Sequence, residues 1–277
     1  MTNMRTKLSQ YANWAILILI TLFFIFPFYF IIVTAFKSGP DLTLNPIGLP
    51  TQYQFGNFVE VFAGTKIFQS IVNSILVSTG TIVIGLIIYV ASSYGLYRLK
   101  GTILGTVLFS IIVFGMMIPA VGYWQMILTY RKYHLYNNLT GVILGLVASS
   151  LPFSTLLIVG HLKTIPNDLI DSAGMDGASD MQLLRHVIVP LAQPIMLTIT
   201  IFLLVESWNN LILPLLLLRD ESLYTLPIQL KSTFFRQYAP RYELFFAGAL
   251  ITSMPFIITY IFFQKHFVYG LGGALKE

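Results

Sequence analysis

Few residues in this chain of 277 could do covalent or metal chemistry. The sequence contains no cysteine, which excludes disulfides, thiolate nucleophiles, iron–sulfur clusters and cysteine zinc sites. His161, His186 and His266 flank apolar runs without the spacing of metal ligands, so we expect them to anchor at an interface. No convergent set of nucleophile, base and metal ligands is found, which argues against an enzyme.

The sequence also lacks a phosphate-binding loop. The P-loop pattern Gly-x-x-x-x-Gly-Lys-Ser/Thr cradles nucleotide phosphates with its backbone N–H groups. The nearest string, Gly160-His-Leu-Lys-Thr164, lacks the second glycine and the loop length. We therefore expect this chain to bind no cofactor.

One group of polar residues lies within a long apolar run, 191–218. Its only ionisable member is Glu206, and it is followed by Ser207, Trp208, Asn209 and Asn210. A carboxylate at membrane depth costs about 2.5–3.5 kcal/mol and normally faces a cavity or a partner group. Two interpretations stay open: the cluster lines a solute pathway, or Trp208 and Asn209 brace this chain against another subunit. Asn73 is a further pathway candidate, although a hydrogen bond between helices explains it more simply.

The composition predicts which elements position these groups. Hydrophobic residues make up 56% of the chain and charged residues only 10%, whereas soluble domains carry about 25% charged residues. The mean hydropathy is +0.78. The 16 Lys and Arg exceed the 11 Asp and Glu, but they lie in short segments between apolar runs. Membrane lipid is therefore an expected partner and nucleic acid is not.

Six uncharged or nearly uncharged runs could each cross a bilayer core of about 30 Å. They lie at 14–36, 67–97, 103–126, 141–160, 191–218 and 244–263. The first is too long for a signal-peptide core of about 7–15 residues. The sequence predicts an all-α protein with one membrane domain, residues 1–277, whose core spans at about 67–269 follow an N-terminal span at about 14–36.

The longest polar segment on its side of the membrane, Ile165 to Pro190, is named the polar loop. The positions of its proline and glycine residues predict two short helices. The first starts at Pro166 and ends before Gly177, a residue that suits a left-handed C-cap. The pattern Ser179-Asp-Met-Gln182 predicts a capping box that opens the second helix. From composition alone, an ordinary amphipathic connector on the bilayer surface would explain the segment equally well.

The polar loop resembles the EAA loop of ABC-importer permeases, commonly Glu-Ala-Ala-x-x-Asp-Gly-Ala followed downstream by Leu-Pro or Val-Pro. The corresponding run here is Asp171-Ser-Ala-Gly-Met-Asp-Gly-Ala178, followed by Ile188-Val-Pro190. Four residues match at the expected spacing: Ala173, Asp176, Gly177 and Ala178. Asp171 and Ser172 stand where the family usually has Glu and Ala.

Other segments are similar to the carbohydrate-uptake branch of these permeases. They lie at 27–30, 34–37, 91–98, 116–119, 208–214, 224–227 and 270–276. The tail at 270–276 and the Trp-Asn segment at 208–214 most closely resemble the maltose-G-type subunit. The chain is accordingly identified as a six-span carbohydrate-uptake ABC permease.

The resemblance implies partners and a topology. In this family the EAA loop forms a coupling helix that docks in a groove of a cytoplasmic ATPase. The implied coupling residues are Asp171, Ala173, Asp176, Gly177 and Ala178. The implied partners are a second homologous permease, two ATPase subunits holding ATP and Mg, and an extracytoplasmic sugar-binding protein. Because Lys and Arg divide equally between the two sides, only the resemblance places the polar loop and both termini in the cytoplasm of a bacterium or archaeon.

An ion-coupled secondary transporter is the alternative from another class. Such proteins usually place several ionisable or cation-coordinating groups near the bilayer midplane. The expected spans of this chain offer only Glu206. The ABC permease is therefore the favoured interpretation.

Overall fold

The computed structural model describes residues 2–63, 66–117, 123–166, 175, 177–235 and 240–272. These residues form helices and connections, with no strand among them, so the predicted all-α class is confirmed over this part of the chain. Three of the expected coupling residues, Asp171, Ala173 and Asp176, lie outside the described residues.

The helices are numbered in chain order. They are α1 (Thr2–Ala35), α2 (Gly39–Leu44), α3 (Gly56–Ala63), α4 (Ile67–Arg98), α5 (Ile103–Met117), α6 (Tyr123–Lys132), α7 (Leu139–Leu162), α8 (Asp180–Leu191), α9 (Gln193–Asn209), α10 (Ile212–Leu217), α11 (Leu226–Phe234) and α12 (Tyr242–Gly272). A short 3₁₀ turn, Glu221–Leu223, precedes α11.

Three of the six expected spans are single helices long and apolar enough to cross a membrane: Asn13–Ala35, Ile67–Arg98 and Leu139–Leu162. Two shorter apolar helices, Ile103–Met117 and Tyr242–Ile258, overlap the expected third and sixth spans. Within the third expected span, 103–126, α5 covers Ile103–Met117 and α6 begins at Tyr123, and residues 118–122 lie outside the described part of the chain.

The expected fifth span, 191–218, is broken at two prolines. Proline has no N–H, and its ring clashes with the carbonyl of the residue four positions earlier. Pro194 lies at the start of α9, where the chain bends by 75° from α8. Pro214 lies four residues after Asn210, the extended residue (ψ 116°) at which α9 ends. The cluster at 206–210 therefore forms the end of α9, not the middle of one continuous helix.

The chain divides into two compact units, the first of which comprises Met1–Ile67 and Leu230–Phe263. Asn57 closes the C-terminal end of α1 by donating its side-chain N–H groups to the carbonyls of Ala35 and Lys37, at 2.9 and 2.8 Å. Lys37 is fully buried, and its ammonium group donates to the carbonyl of Asn45. These bonds satisfy helix-end carbonyls that would otherwise be unpaired.

The second unit comprises Phe68–Gln229 and Gln264–Glu277, and α7 lies at its centre. Helices α5, α9 and α10 all pack against α7. Two glycines allow close packing on this helix: a Cβ at Gly141 would lie 2.0 Å from the carbonyl oxygen of Leu135, and one at Gly145 would lie 2.8 Å from side-chain atoms of Leu213 and Tyr130. The 24 residues of α7 extend roughly 36 Å at 1.5 Å per residue, so its two ends could reach opposite faces of a bilayer.

Candidate functional site

The second half of the polar loop contains the turn and the cap that the sequence predicts. Gly177 has φ +79°, a left-handed conformation that glycine adopts without steric cost. The N–H of Gln182 donates to the Ser179 hydroxyl at 3.4 Å, and the N–H of Ser179 donates to the Gln182 side-chain oxygen at 2.8 Å. The predicted capping box is therefore confirmed, and α8 begins three residues after the Gly177 turn.

Two large apolar side chains are exposed on either side of the Gly177 turn. Met175 is 83% exposed and Met181 is 70% exposed. On the opposite side of α8, Leu183 is buried in the core of the second unit, against which Ala178 also packs. Methionine side chains are flexible and adapt to the apolar surface of a partner. The turn therefore presents an apolar surface suited to contact with another protein.

The first residue of α8 is held by the last turns of α4. The Tyr94 hydroxyl donates to Oδ1 of Asp180 at 3.1 Å, and Arg98 Nη2 lies 3.1 Å from the same oxygen. We name these three residues the Asp180 clasp. Sequence reasoning missed it, since Tyr94 and Asp180 are 86 residues apart. The only available signal was that Arg98 and the polar loop are expected on the same side of the membrane.

The other end of α8 is held by α7. His161 Nε2 lies 3.0 Å from the carbonyl oxygen of Leu191, at the bend between α8 and α9. A carbonyl can only accept, so Nε2 is the protonated nitrogen of this imidazole. The bond satisfies a carbonyl at the bend and fixes the C-terminal end of α8 to the end of α7.

The five residues of the predicted pathway cluster, at the end of α9, differ from one another in burial and in hydrogen-bond partners. Trp208 is buried in its own chain, with 3% of its surface exposed, and so is Ser207, whose hydroxyl donates to the Leu203 carbonyl. Asn209 is exposed and donates its amide to the Val205 carbonyl at 3.0 Å. The Asn210 side chain accepts from the N–H of Leu213, in the first turn of α10, at 3.1 Å.

Glu206 belongs to a polar cluster between helices. The Ser150 hydroxyl of α7 lies 2.5 Å from Glu206 Oε2 and 3.0 Å from the carbonyl oxygen of Leu146. Nearby in the same core, the buried Tyr89 of α4 donates its hydroxyl to the carbonyl of Val147 at 2.7 Å. The carboxyl group thus has a specific partner from another helix, as expected for an ionisable residue at membrane depth.

Asn73 is separate from that cluster. Its side-chain amide donates to the carbonyls of Ser222 and Tyr224 at 2.9 and 3.0 Å. The neighbouring Ser74 hydroxyl accepts from the N–H of Leu226 at 2.8 Å. These bonds join α4 to the connection between α10 and α11, and the Asn73 amide nitrogen is occupied by them.

A polar corner lies at the start of α7, away from the polar loop. Asn137 accepts from the N–H groups of Arg219 and Asp220 at 2.9 and 3.1 Å and donates to the Asp220 carboxylate at 2.7 Å. The Tyr136 hydroxyl accepts from Arg219 Nε at 2.6 Å, and the Arg131 guanidinium lies 4.6 Å from the centre of the Tyr136 ring. Hydrogen bonds from Arg219 and then Arg131 lower the pKa of Tyr136 below its usual value. Sequence analysis did not single out this corner.

No group of three or more His, Cys, Asp or Glu side chains able to hold a metal ion occurs within the described residues. What the geometry offers is an exposed turn, a clamped helix and a polar cluster between spans. Several helices of this chain are also long and apolar enough to cross a membrane, so the fold and the site define a membrane-embedded protein.

Comparison with known proteins agrees with this class. The chain belongs to the family of the binding-protein-dependent transport system inner membrane component, which residues 81–271 match. It is 30% identical over 263 residues to the arabinooligosaccharides transport system permease protein AraQ of Bacillus subtilis, covering 91% of this chain and 90% of that one. It is 29% identical over 259 residues to the diacetylchitobiose uptake system permease protein DasC of Streptomyces coelicolor, covering 91% and 92% of the two chains.

Solved structures show the same fold. A chain from a bacterial ABC transporter involved in the import of the acidic polysaccharide alginate superposes with a TM-score of 0.81 at 26% identity, covering 94% of this chain and 97% of that one. A chain of the bacterial alginate ABC transporter in complex with an alginate pentasaccharide-bound periplasmic protein superposes with a TM-score of 0.69. Its 13% identity makes it evidence for the fold alone.

Proposed function

We propose that this chain is one of two permease subunits of an ATP-driven, binding-protein-dependent importer of oligosaccharides. The family assignment supports the transporter, and the names of the relatives, which concern arabinooligosaccharides and diacetylchitobiose, support a carbohydrate as cargo. The observation that carries the proposal is the Gly177 turn, with Met175 exposed before it and Met181 exposed after it, on the first turn of α8.

The polar loop is the proposed contact with a separate ATPase. A short helix carrying exposed apolar side chains can dock in a hydrophobic groove, and the capped α8 can transmit a push. Gly177 and Ala178 belong to this contact, together with Asp171, Ala173 and Asp176. ATP and Mg are bound by the two ATPase subunits, and this chain binds no cofactor. Closure of the ATPases would displace the loop and reorient the permease halves.

The sugar would pass along a cavity that this chain shares with a second, homologous permease. Hydroxyl, amide and aromatic groups suit a neutral sugar. The end of α9 supplies such groups, and Asn209 is its most exposed member. Glu206, Ser207, Trp208, Asn210 and Asn73 complete the proposed set, and several of them also hold the fold together by the bonds described above.

The proposed topology has six spans within one domain, residues 1–277. Both termini and the polar loop lie in the cytoplasm of a bacterium or archaeon. The polar corner of Asn137 and Arg219 would then face outward, since it lies at the other end of α7. An exposed, hydrogen-bonded corner at that face suits contact with the extracytoplasmic sugar-binding protein.

The function can be tested with a tagged copy of the full chain. We expect a second permease and an ATPase to co-purify, as identified by mass spectrometry. Proteoliposomes of that complex, supplied with the sugar-binding protein on the face opposite the polar loop, should take up labelled arabinooligosaccharide or diacetylchitobiose only with ATP on the side of the polar loop. A complex whose ATPase lacks its P-loop lysine is the control and should not transport. ATP-independent uptake by the purified chain alone, driven by an ion gradient, would contradict the proposal.

A further inference from the structure

Both ends of α8 are tied to long helices of the same unit. At its start, the Asp180 carboxylate accepts from Tyr94 and pairs with Arg98, both at 3.1 Å and both through Oδ1. Because Tyr94 and Arg98 are four residues apart, their side chains lie on one face of α4. At its end, the Leu191 carbonyl accepts from His161 of α7 at 3.0 Å.

The middle of α8 is packed into the same core. Leu183 and Ile188 are buried there, in a cluster that also contains Tyr94 of α4 and Leu162 of α7. The Asp180 clasp is therefore an addition to an already packed helix. Its ion pair is solvent-accessible, with side-chain exposures of 52% for Arg98 and 69% for Asp180, and such pairs contribute little to stability. Stability alone does not account for the convergence of two donors on one oxygen.

We propose that Asp180 is a positioning residue that makes α8 move as one body with the end of α4. A displacement of the Gly177 turn then reaches α4 through the clasp and reaches α9 through the bend. Without the clasp, the N-terminal end of α8 can shift while α4 stays in place, so ATP is hydrolysed without a full movement of the spans. This inference rests on the proposed function and names the connection within this chain through which coupling acts.

Charge exchange tests the clasp in the reconstituted complex. The variants are Arg98→Asp, Asp180→Arg and the double variant carrying both, and the readout is ATP hydrolysed per sugar imported. Each single variant should raise that ratio by at least about twofold, since single residues in a coupling network change coupling by that order. The double variant should return the ratio to near the starting value, because the pair is restored with its charges exchanged.

Two further variants serve as controls. Lys100→Asp reverses an exposed cation two residues after Arg98 and should leave the ratio unchanged. Tyr94→Phe removes one donor and keeps the ring in the core, so it should raise the ratio without a large change in Tm. It also provides a readout if a charge reversal prevents assembly.

The outcomes separate this inference from the proposed function. An unchanged ratio of ATP hydrolysed per sugar imported, in the single variants and in Tyr94→Phe, would overturn the proposed role of the clasp. A double variant no better than its worse parent would overturn it too, because restoring the ion pair should restore the coupling. If the unaltered complex neither hydrolyses ATP nor imports sugar, the proposed function itself fails.

Discussion

The Ser150 hydroxyl lies 2.5 Å from Oε2 of Glu206 and also 3.0 Å from the carbonyl oxygen of Leu146. A serine hydroxyl carries one hydrogen, so it can donate to only one of these two oxygens at a time. Glu206 is thus held to α7 through this hydroxyl, and any hydrogen-bonding side chain at 206 avoids leaving an unpaired polar group among apolar helices.

Glu206→Gln should therefore be tolerated. The glutamine amide can donate to Ser150, leaving the serine hydrogen for Leu146, so we expect a loss of less than about 1 kcal/mol in unfolding free energy. Ser150→Ala should cost about 0.5–1.5 kcal/mol, because the half-buried carboxyl group loses its hydrogen-bond partner on α7. Thermal unfolding in detergent measures both. Ser149→Ala is the matched control, since that hydroxyl also donates to Leu146, at 2.9 Å; equal losses at 149 and 150 would contradict the role of Glu206.

A change of backbone geometry at the left-handed Gly177 turn should uncouple ATP hydrolysis from sugar import. Gly177→Val should raise ATP hydrolysed per sugar imported while the complex still assembles, because a branched residue disfavours φ +79°. Gly101→Val is the control, since Gly101 has φ +81° and also has no atom within 4 Å of its Cβ position. Full sugar uptake by Gly177→Val at the normal ATP ratio would show that the turn does not transmit motion.

Substitutions of two neighbouring residues at the end of α9 should separate an effect on packing from an effect on transport. Trp208→Ala removes an indole buried in its own chain and should lower stability by about 3–5 kcal/mol. Asn209→Ala removes an exposed amide and should leave Tm nearly unchanged while slowing sugar uptake. Normal uptake by Asn209→Ala would remove Asn209 from the proposed pathway.

Replacing either of two glycines in α7 by alanine should have opposite effects on the stability of the protein. Gly141→Ala would place a Cβ 2.0 Å from the Leu135 carbonyl oxygen, and we expect a loss of about 1–3 kcal/mol from overpacking. Gly160→Ala meets no atom within 4 Å and should be neutral or stabilise by up to about 1 kcal/mol. Thermal unfolding of the two variants checks this, and a stable Gly141→Ala protein would contradict the close helix contact.

Local chemistry made parts of this structure predictable from sequence. The capping box at Ser179 and the left-handed Gly177 depend on a few adjacent residues, and both were predicted. Pro194 and Pro214 are visible in the sequence and predict a loosened helix on either side of residues 206–210, but the hydropathy of the run does not give the 75° bend between α8 and α9. The burial of Trp208 and the Asp180 clasp depend on helices distant in sequence, so no local pattern could indicate them.

The side of the membrane on which the polar loop lies decides whether this loop can bind a cytoplasmic ATPase. Because the chain has no cysteine, single cysteines can be introduced at exposed positions: Met181→Cys on α8 and Lys132→Cys near the start of α7. With a membrane-impermeant maleimide, Met181→Cys should label in inside-out vesicles and not in intact cells, and added ATPase subunit should reduce the labelling. Lys132→Cys should label in intact cells. Labelling of Met181→Cys from outside intact cells would contradict the claim that this loop binds a cytoplasmic ATPase.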